Sequence, residues 1–313
     1  MTCGIHLKRF LCSSLAIYFC ICVQSALATD TFELARSGNT PGNINGEFTN
    51  FGAPSINSLG TVVFKGVLTD TSAGDENDTG IYRTGVPGGI GPFILTLEEV
   101  AREGSTYTAG GIDYILDDLL LTGFRLEDAP APTSPVTGLF GKLALRLPVR
   151  SGNPDGSTIL TVESTPVTTS GATVNLIASA GEEVPSGNGT FREFSSSGPA
   201  DVSPAGTATF FSAMNNTDNG VDDNVALFRY RADVSLTEIV REGEPANGGA
   251  FFLLSTPRPN DLGDLIFLGS NDSGDPATNS GIYRVTANGT SAQYVLGEGD
   301  TAPSDDLDPR IFR

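Results

Sequence analysis

Pro54-Ser55-Ile56-Asn57-Ser58-Leu59-Gly60-Thr61-Val62-Val63-Phe64 returns late in the chain as Pro257-Arg258-Pro259-Asn260-Asp261-Leu262-Gly263-Asp264-Leu265-Ile266-Phe267. Asn-x-x-Gly before an apolar run reads as a tight turn feeding a strand, with the glycine taking a positive φ. A third copy, Pro199 to Phe210, has Ser203 where the other two have asparagine. Downstream of each copy stands a second mark: Gly80-Ile81-Tyr82-Arg83, Ala226-Leu227-Phe228-Arg229 and Gly281-Ile282-Tyr283-Arg284. Alternation places Ile81 and Arg83 on one strand face and Tyr82 on the other.

A third mark closes the period. Leu34-Ala35-Arg36-Ser37-Gly38, Val100-Ala101-Arg102-Glu103-Gly104, Val240-Arg241-Glu242-Gly243 and Leu296-Gly297-Glu298-Gly299 end alike, with a looser copy at Ile177 to Glu182. The anchor residues Ala35, Ala101, Ala178, Val240 and Leu296 lie 56–77 residues apart. Self-similarity at such a period is the mark of a repeat architecture. Each repeat reads as four short strands, in the first roughly 31–36, 47–56, 60–68 and 80–84. Thr96 to Arg102 has a helical composition, but its counterparts at 236–241 and 293–297 do not, so the repeat predicts a strand. The second repeat has drifted. Asp113–Asp128 replaces an expected strand, Asp117–Leu121 is the one candidate helical turn, and Ala129–Pro135 reads as a rigid loop.

The expected fold is therefore all-β, built of tandem four-stranded repeats and propeller-like. The strand count supplies four repeats plus the first strand of a fifth, which leaves one strand over for a four-membered ring. An open stack of β-sheets is the alternative.

Residues 1–28 read as a secretory signal. Lys8 and Arg9 precede an apolar run from Phe10 to Val23, and Ala26-Leu27-Ala28 offers small residues for cleavage. The run is short for a membrane span. All four cysteines and the one histidine fall inside this segment. The expected mature region, 29–313, is a single β-repeat domain with 16 basic and 37 acidic residues and no Trp, His or Cys.

That composition excludes function classes. Without His or Cys there is no Ser-His-Asp or Cys-His nucleophile system and no Cys/His zinc site. Acids outnumber bases 37 to 18 over the whole chain, so no basic stripe meets a nucleic-acid backbone. Beyond the signal no run is apolar enough to span a membrane. Carboxylate chemistry survives, which leaves a glycosidase-type acid pair as the enzyme class with parts in hand.

The acids cluster between the third and fourth strands of the repeats, at Asp70–Asp78, Asn153–Asp155, Asn215–Asn224 and Asn271–Asn279. In a propeller such loops emerge on one rim. Hard oxygen donors on Gly-containing loops are what calcium takes, which makes Asp75, Asp78, Asp218, Asp222, Asp223, Asp272 and Asp275 the candidate ligands. None of the tracts follows the EF-hand pattern, and Asp, Asn and Gly are also the ordinary residues of hairpin loops. The recurring Arg36, Arg102 and Arg241, each followed by Ser or Glu, read as a structural turn in which Arg pairs with a carboxylate of the adjacent blade. Tyr82, Phe228 and Tyr283 read as core aromatics.

The Asn57-x-x-Gly60-x-Val-Val-Phe64 and Asn260-x-x-Gly263-x-Leu-Ile-Phe267 motifs, with the Arg-Glu-Gly ends, resemble the bacterial choice-of-anchor tandem repeat NxxGxxAF-containing proteins. The resemblance covers the chain after residue 28. It implies an exported bacterial protein with a propeller-like all-β fold and carries over no catalytic residue. No C-terminal anchor stands before Arg313, so the expectation is a freely secreted protein or a shortened chain.

The expected function is a secreted, non-enzymatic repeat protein that presents acidic loops to a cell-surface or extracellular protein, a polysaccharide or calcium. No cofactor beyond calcium is implied. The alternative is a carboxylate-based glycosidase or polysaccharide lyase on the same frame.

Overall fold

The structure, a computed structural model, describes residues 35–38, 45–56, 61–73, 77–85, 96–119, 123–126, 143–151, 158–163, 174–192, 194, 200–203, 207–231, 234–260, 262–274 and 279–300. All of its sheets lie in the second of two compact units, Ser37–Arg313.

Among the described residues there are four antiparallel sheets, in chain order. The first contains β1 (Glu47–Phe51), β2 (Ser55–Ile56), β3 (Val62–Thr69), β4 (Thr79–Gly85) and β5 (Thr96–Arg102), ordered β1-β3-β4-β5 with β2 also on β3. The second contains β6 (Thr106–Ala109), β7 (Ile112–Leu116), β8 (Gly123–Leu126), β9 (Leu143–Ser151), β10 (Thr158–Glu163) and β11 (Val174–Ser179), ordered β6-β7-β9-β10-β11 with β8 on β9. The third contains β12 (Thr190–Phe191), β13 (Asp201–Val202), β14 (Ala208–Asn215), β15 (Val225–Arg231) and β16 (Ser235–Arg241). The fourth contains β17 (Pro245–Ala246), β18 (Gly249–Leu254), β19 (Arg258–Pro259), β20 (Leu265–Asn271), β21 (Ser280–Val285) and β22 (Gln293–Gly297). The fold class is all-β, as the repeats predict; among the described residues no α-helix occurs.

The sheets are cut one strand later than the repeats read. Thr96–Arg102 pairs with β4 of its own sheet, Gly80 opposite Arg102 and Ile81 opposite Ala101. Likewise β22 pairs with β21 and completes the fourth sheet instead of opening a fifth repeat. The strand left over in the sequence count therefore has a place. Residues 31–34 of the proposed opening strand lie outside the described residues. The segment Asp113–Asp128, read as replacing a strand, contains most of β7 and all of β8. Of the candidate helical turn, Leu119 is buried, its amide held by Thr79 Oγ1 at 2.9 Å.

The Asn-x-x-Gly mark works through its side chain. Asn260 Oδ1 accepts the amides of Leu262 and Asp264, both at 3.0 Å, while Gly263 takes φ +86°. That closes the hairpin from β19 to β20. Ser203 replaces asparagine without changing the job: its Oγ accepts the Thr207 amide at 3.2 Å, and its own amide donates to the Thr207 carbonyl at 2.8 Å. The corresponding Asn57–Gly60 turn lies outside the described residues.

Period-2 alternation gives each sheet two apolar faces, and the sheets pack on one another in chain order. Val63, Ile81 and Ala101 of the first sheet meet Tyr107, Tyr114, Leu145 and Ile159 of the second. Leu160 and Ala178 of the second meet Phe191, Phe210 and Phe228 of the third. Leu227 and Ile239 of the third meet Phe251, Phe267 and Tyr283 of the fourth. Face-to-face packing of sheets through such faces is the sandwich rule applied in series.

Three of the sheets repeat one aromatic triad. Phe48–Tyr82, Phe191–Phe228 and Phe251–Tyr283 stand edge to face at 5.0, 4.9 and 4.8 Å between centroids. Phe210–Phe228 and Phe267–Tyr283 stack at 5.3 and 5.5 Å, while Phe64 tilts on Tyr82 at 5.8 Å. Such pairs add about 0.5–1.5 kcal/mol each beyond burial. In the first and fourth sheets the rings lie over backbone, which demands glycine beneath: a Cβ on Gly66 would stand 2.5 Å from the Phe48 ring, and on Gly269 2.8 Å from Phe251. Tyr82, Phe228 and Tyr283 are thus core, as their sequence pattern predicts.

Candidate functional site: the stapled loop ends

Each loop between the two long central strands emerges at the end of the sheet where the Arg-Glu-Gly mark also lies, because β4 and β15 start there and β5 and β16 finish there. The arginine ties that end together. In the first sheet buried Arg102 donates Nε to the Asn77 carbonyl at 3.0 Å and Nη2 to the Asn45 carbonyl at 2.6 Å, and its Nη1 reaches Glu99 Oε2 at 3.1 Å. In the third sheet buried Arg241 donates Nη1 to the carbonyls of Asp223 and Asn188, at 3.0 and 3.1 Å. Its Nε and Nη2 take both oxygens of Glu238 at 2.7 Å, and Nη2 also reaches Ser186 Oγ at 2.9 Å. A planar fork of donors matches a carboxylate in this way, which a lysine does not.

The arginine is therefore structural, but its carboxylate partner sits three residues earlier on the same strand, not on an adjacent sheet as the sequence reading has it. The staple is specific to two sheets. Its position is Ser179 in the second sheet and Gly297 in the fourth, where Tyr294 takes the place of Glu238 and donates its hydroxyl to Asp300 Oδ2 at 2.6 Å. Arg36 is exposed.

A second feature of the stapled end escapes the sequence reading. Asn45-Gly46-Glu47-Phe48 and Asn188-Gly189-Thr190-Phe191 enter β1 and β12 identically. Gly46 and Gly189 take φ +117° and +108°, and a Cβ on either would lie 2.8 Å from the last carbonyl of the facing strand, Thr69 of β3 or Asn215 of β14. Asp70 and Asn216, next in the chain, share φ values of 55° and 58°. The signal available was the repeated Asn-Gly-x-Phe itself and the Glu-x-x-Arg spacing.

The candidate ligands part company here. Asp223 is buried, with Oδ2 accepting Asn188 Nδ2 at 3.0 Å, while Asn188 Oδ1 accepts the Asp218 amide at 2.7 Å. Burial alone would raise the pKa of Asp223; hydrogen bonds from Thr217, Asn188 and the Asn219 amide, with the charge of Arg241, outweigh it and hold the carboxyl below the usual range. Asp218 and Asp222 are exposed. Asp272 is exposed at residue level, yet its Oδ1 accepts the Ala250 amide at 2.6 Å. Asp78 is half-buried beside Glu103. Asp75 and Asp275 lie outside the described residues.

The glutamate of the Arg-Glu-Gly mark completes the site. Glu103 accepts Thr79 Oγ1 at 2.8 Å; burial pushes its carboxyl up, and Asp78 and Asp118 push further against that hydrogen bond. Burial likewise lifts Glu242 to about 7, with the charges of Asp222 and Asp223 adding and a bond from the Val225 backbone opposing. The structure thus groups Asp78 with Glu103 and Asp222 and Asp223 with Glu242, sheet by sheet. Among the described residues no three His, Cys, Asp or Glu side chains stand close enough to hold a metal ion, and no helix is long and apolar enough to cross a membrane.

No curated protein matches the sequence. A family model matches residues 23–117 and 151–309, and the gap between them takes in the proline-rich segment 129–135, where the internal repeat also drifts. The matched stretches hold all the stapling residues of both loop ends, and the chain belongs to that family, a family of unknown function, DUF7453.

Proposed function

We propose that the protein is an exported, non-enzymatic repeat protein whose loop ends bind a surface partner, either an extracellular protein or a polysaccharide. The observation that carries this reading is the staple. Arg102 and Arg241 fix the backbone on both sides of a loop whose remaining carboxylates, Asp218 and Asp222 in the third sheet, face solvent. A loop held before its partner arrives loses less conformational entropy on binding. The signal-like residues 1–28 support export, and the Asn-x-x-Gly resemblance supports membership in the choice-of-anchor group. Calcium bridging the exposed carboxylates of loop and ligand is the finer form of the proposal.

A glycan array with and without millimolar calcium tests it. Retention weakened by Asp218→Asn together with Asp222→Asn supports the loop as the contact. Retention indifferent to both substitutions places binding elsewhere and sinks the reading.

One observation favours the carboxylate-enzyme reading. Glu242, with a pKa of about 7, shares a corner with Asp222 and Asp223, and acids whose environments push their pKa values apart are the parts of acid–base catalysis. Turnover of a polysaccharide that Glu242→Gln abolishes, with the fold intact, would replace the binding reading by this one.

A further inference from the structure

We propose that the outer face of the fourth sheet is a self-association surface that pairs with the same face of a second copy of this chain. In the first three sheets the corresponding face carries the next sheet. Val63 and Ile81 are 0% exposed under the second sheet, and Leu227 is 1% exposed under the fourth. The fourth sheet repeats the pattern with nothing upon it among the described residues: Ile266, Leu268 and Ile282 are 51%, 60% and 36% exposed. Cross-strand register makes these one surface. Leu268 is opposite Ile282 and Ile282 is opposite Leu296, a row across three strands, with Leu253 opposite Ser270 at its flank. Exposed Phe252 and Val295 stand at the register shifts of β18 and β22. Antiparallel partners share a face, so the row is continuous.

With Leu253, Ile266, Leu268 and Ile282 each between 36% and 60% exposed, the row is on the order of the largest apolar patch of an ordinary monomer, roughly 300–600 Å². That is less than one partner's share of a standard interface, about 800 Å², and fits a weak, concentration-dependent dimer.

Charge selects the occupant. The chain carries 37 acidic against 18 basic residues, so two copies repel across most of their surface. Beside its apolar row this face carries Arg258 and Arg284, both opposite Ile266, against Asp264, ion-paired with Arg284, and Glu298, whose amide donates to the Ser280 carbonyl. Bases and acids balance here, so two copies meet without the acidic excess of the rest of the chain. The chain also shows how the equivalent face grips a sheet. Arg229, at the position of Arg284, donates to the carbonyls of Thr286 and Gly289 in the turn of the sheet above it, at 2.9 and 2.7 Å. An isologous pairing of apolar faces closes as a two-fold dimer.

Sedimentation equilibrium of the full chain from about 1 to 100 μM tests the proposal across the usual affinity range of such contacts. The expected result is a monomer–dimer equilibrium that Leu268→Glu weakens by at least about tenfold, a hot-spot effect. Leu268→Ser, milder at an exposed position, weakens it in the same direction with an unchanged circular dichroism spectrum. A monomer at every concentration overturns the proposal. So does a dimer that both variants leave intact, which would place the contact elsewhere, and so does an assembly larger than a dimer, which needs a second surface.

Discussion

Arg241 holds both carboxylate oxygens of Glu238, each at 2.7 Å, from three residues further along the same strand. Arg241 is buried and the Glu238 side chain is 13% exposed, and the rest of the guanidinium goes to the carbonyls of Asn188 and Asp223. Removing one partner leaves the other charge buried and two carbonyls without their donor, at a cost of about 3–5 kcal/mol. Arg241→Ala should lower the unfolding free energy in urea by that amount. Arg241→Lys keeps the charge but loses the fork and should recover only part. If Arg241→Ala costs under about 1 kcal/mol, as an exposed ion pair would, the staple does not hold the loop end.

The triad carries a second prediction. Tyr82 Oη is buried with no hydrogen-bond partner among the described residues, and a Cβ on Gly80 would lie 2.5 Å from it. The third sheet has solved the same packing with Ala226 and Phe228. Tyr82→Phe should therefore raise stability, by up to about 1 kcal/mol, because it removes an unsatisfied hydroxyl. Gly80→Ala alone should cost about 1–3 kcal/mol by overpacking, and less in the Tyr82→Phe background. A double-mutant cycle with no coupling between the two sites would contradict the account.

The repeat was legible because its marks are local. Asn260 and Ser203 act on amides within four residues, and the alternation in Gly-Ile-Tyr-Arg separates the two faces of the strand. Thr96–Arg102 was legible as strand only through its counterparts, since its own composition favours helix and the cross-strand partners of β4 decide the matter. What sequence reading missed is the phase. Whether a strand ends one sheet or begins the next depends on which partner its backbone meets, and that pairing leaves no residue-level trace. The staple was missed for a related reason. Arg102 bonds the carbonyls of Asn45 and Asn77, and a carbonyl is the same in every residue. Likewise Asp218, Asp222 and Asp223 look alike in a loop sequence, though one of them is buried.

That difference is measurable. Asp223 accepts from Asn188 and sits beside Arg241, whereas Asp218 and Asp222 face solvent. Asp223→Asn should cost about 1–3 kcal/mol, the loss of charge-assisted hydrogen bonds at a buried site. Asp218→Asn and Asp222→Asn should stay within about 0.5 kcal/mol in the absence of calcium. If calcium bridges these loops, those two exposed substitutions should blunt its effect on the thermal midpoint. Equal midpoint shifts from calcium and from sodium at matched ionic strength would remove calcium from the proposal.

The glutamates of the Arg-Glu-Gly mark set an unusual pH dependence. Burial lifts Glu242 from 4.5 to about 7, so between those values the folded protein holds a proton that the unfolded chain has released. Its stabilising contribution is complete below the unfolded value and is lost as pH rises through about 7. Glu103 and Glu244, also raised by burial, work in the same direction. Asp223 has the opposite sign: its carboxyl is held below its ordinary 3.8, so its contribution is present above that value and lost as pH falls through the lower, folded one. Stability should therefore peak on the acid side of neutrality, above the titration of Asp223 and below that of Glu242. Thermal midpoints across pH 4 to 8 should decline from about pH 5 upward, and Glu242→Gln should make the decline shallower because an amide stays neutral throughout. An unchanged slope in Glu242→Gln would mean that Glu242 ionises in the folded protein as readily as in water, and the buried corner it shares with Asp222 and Asp223 would have to be open to solvent.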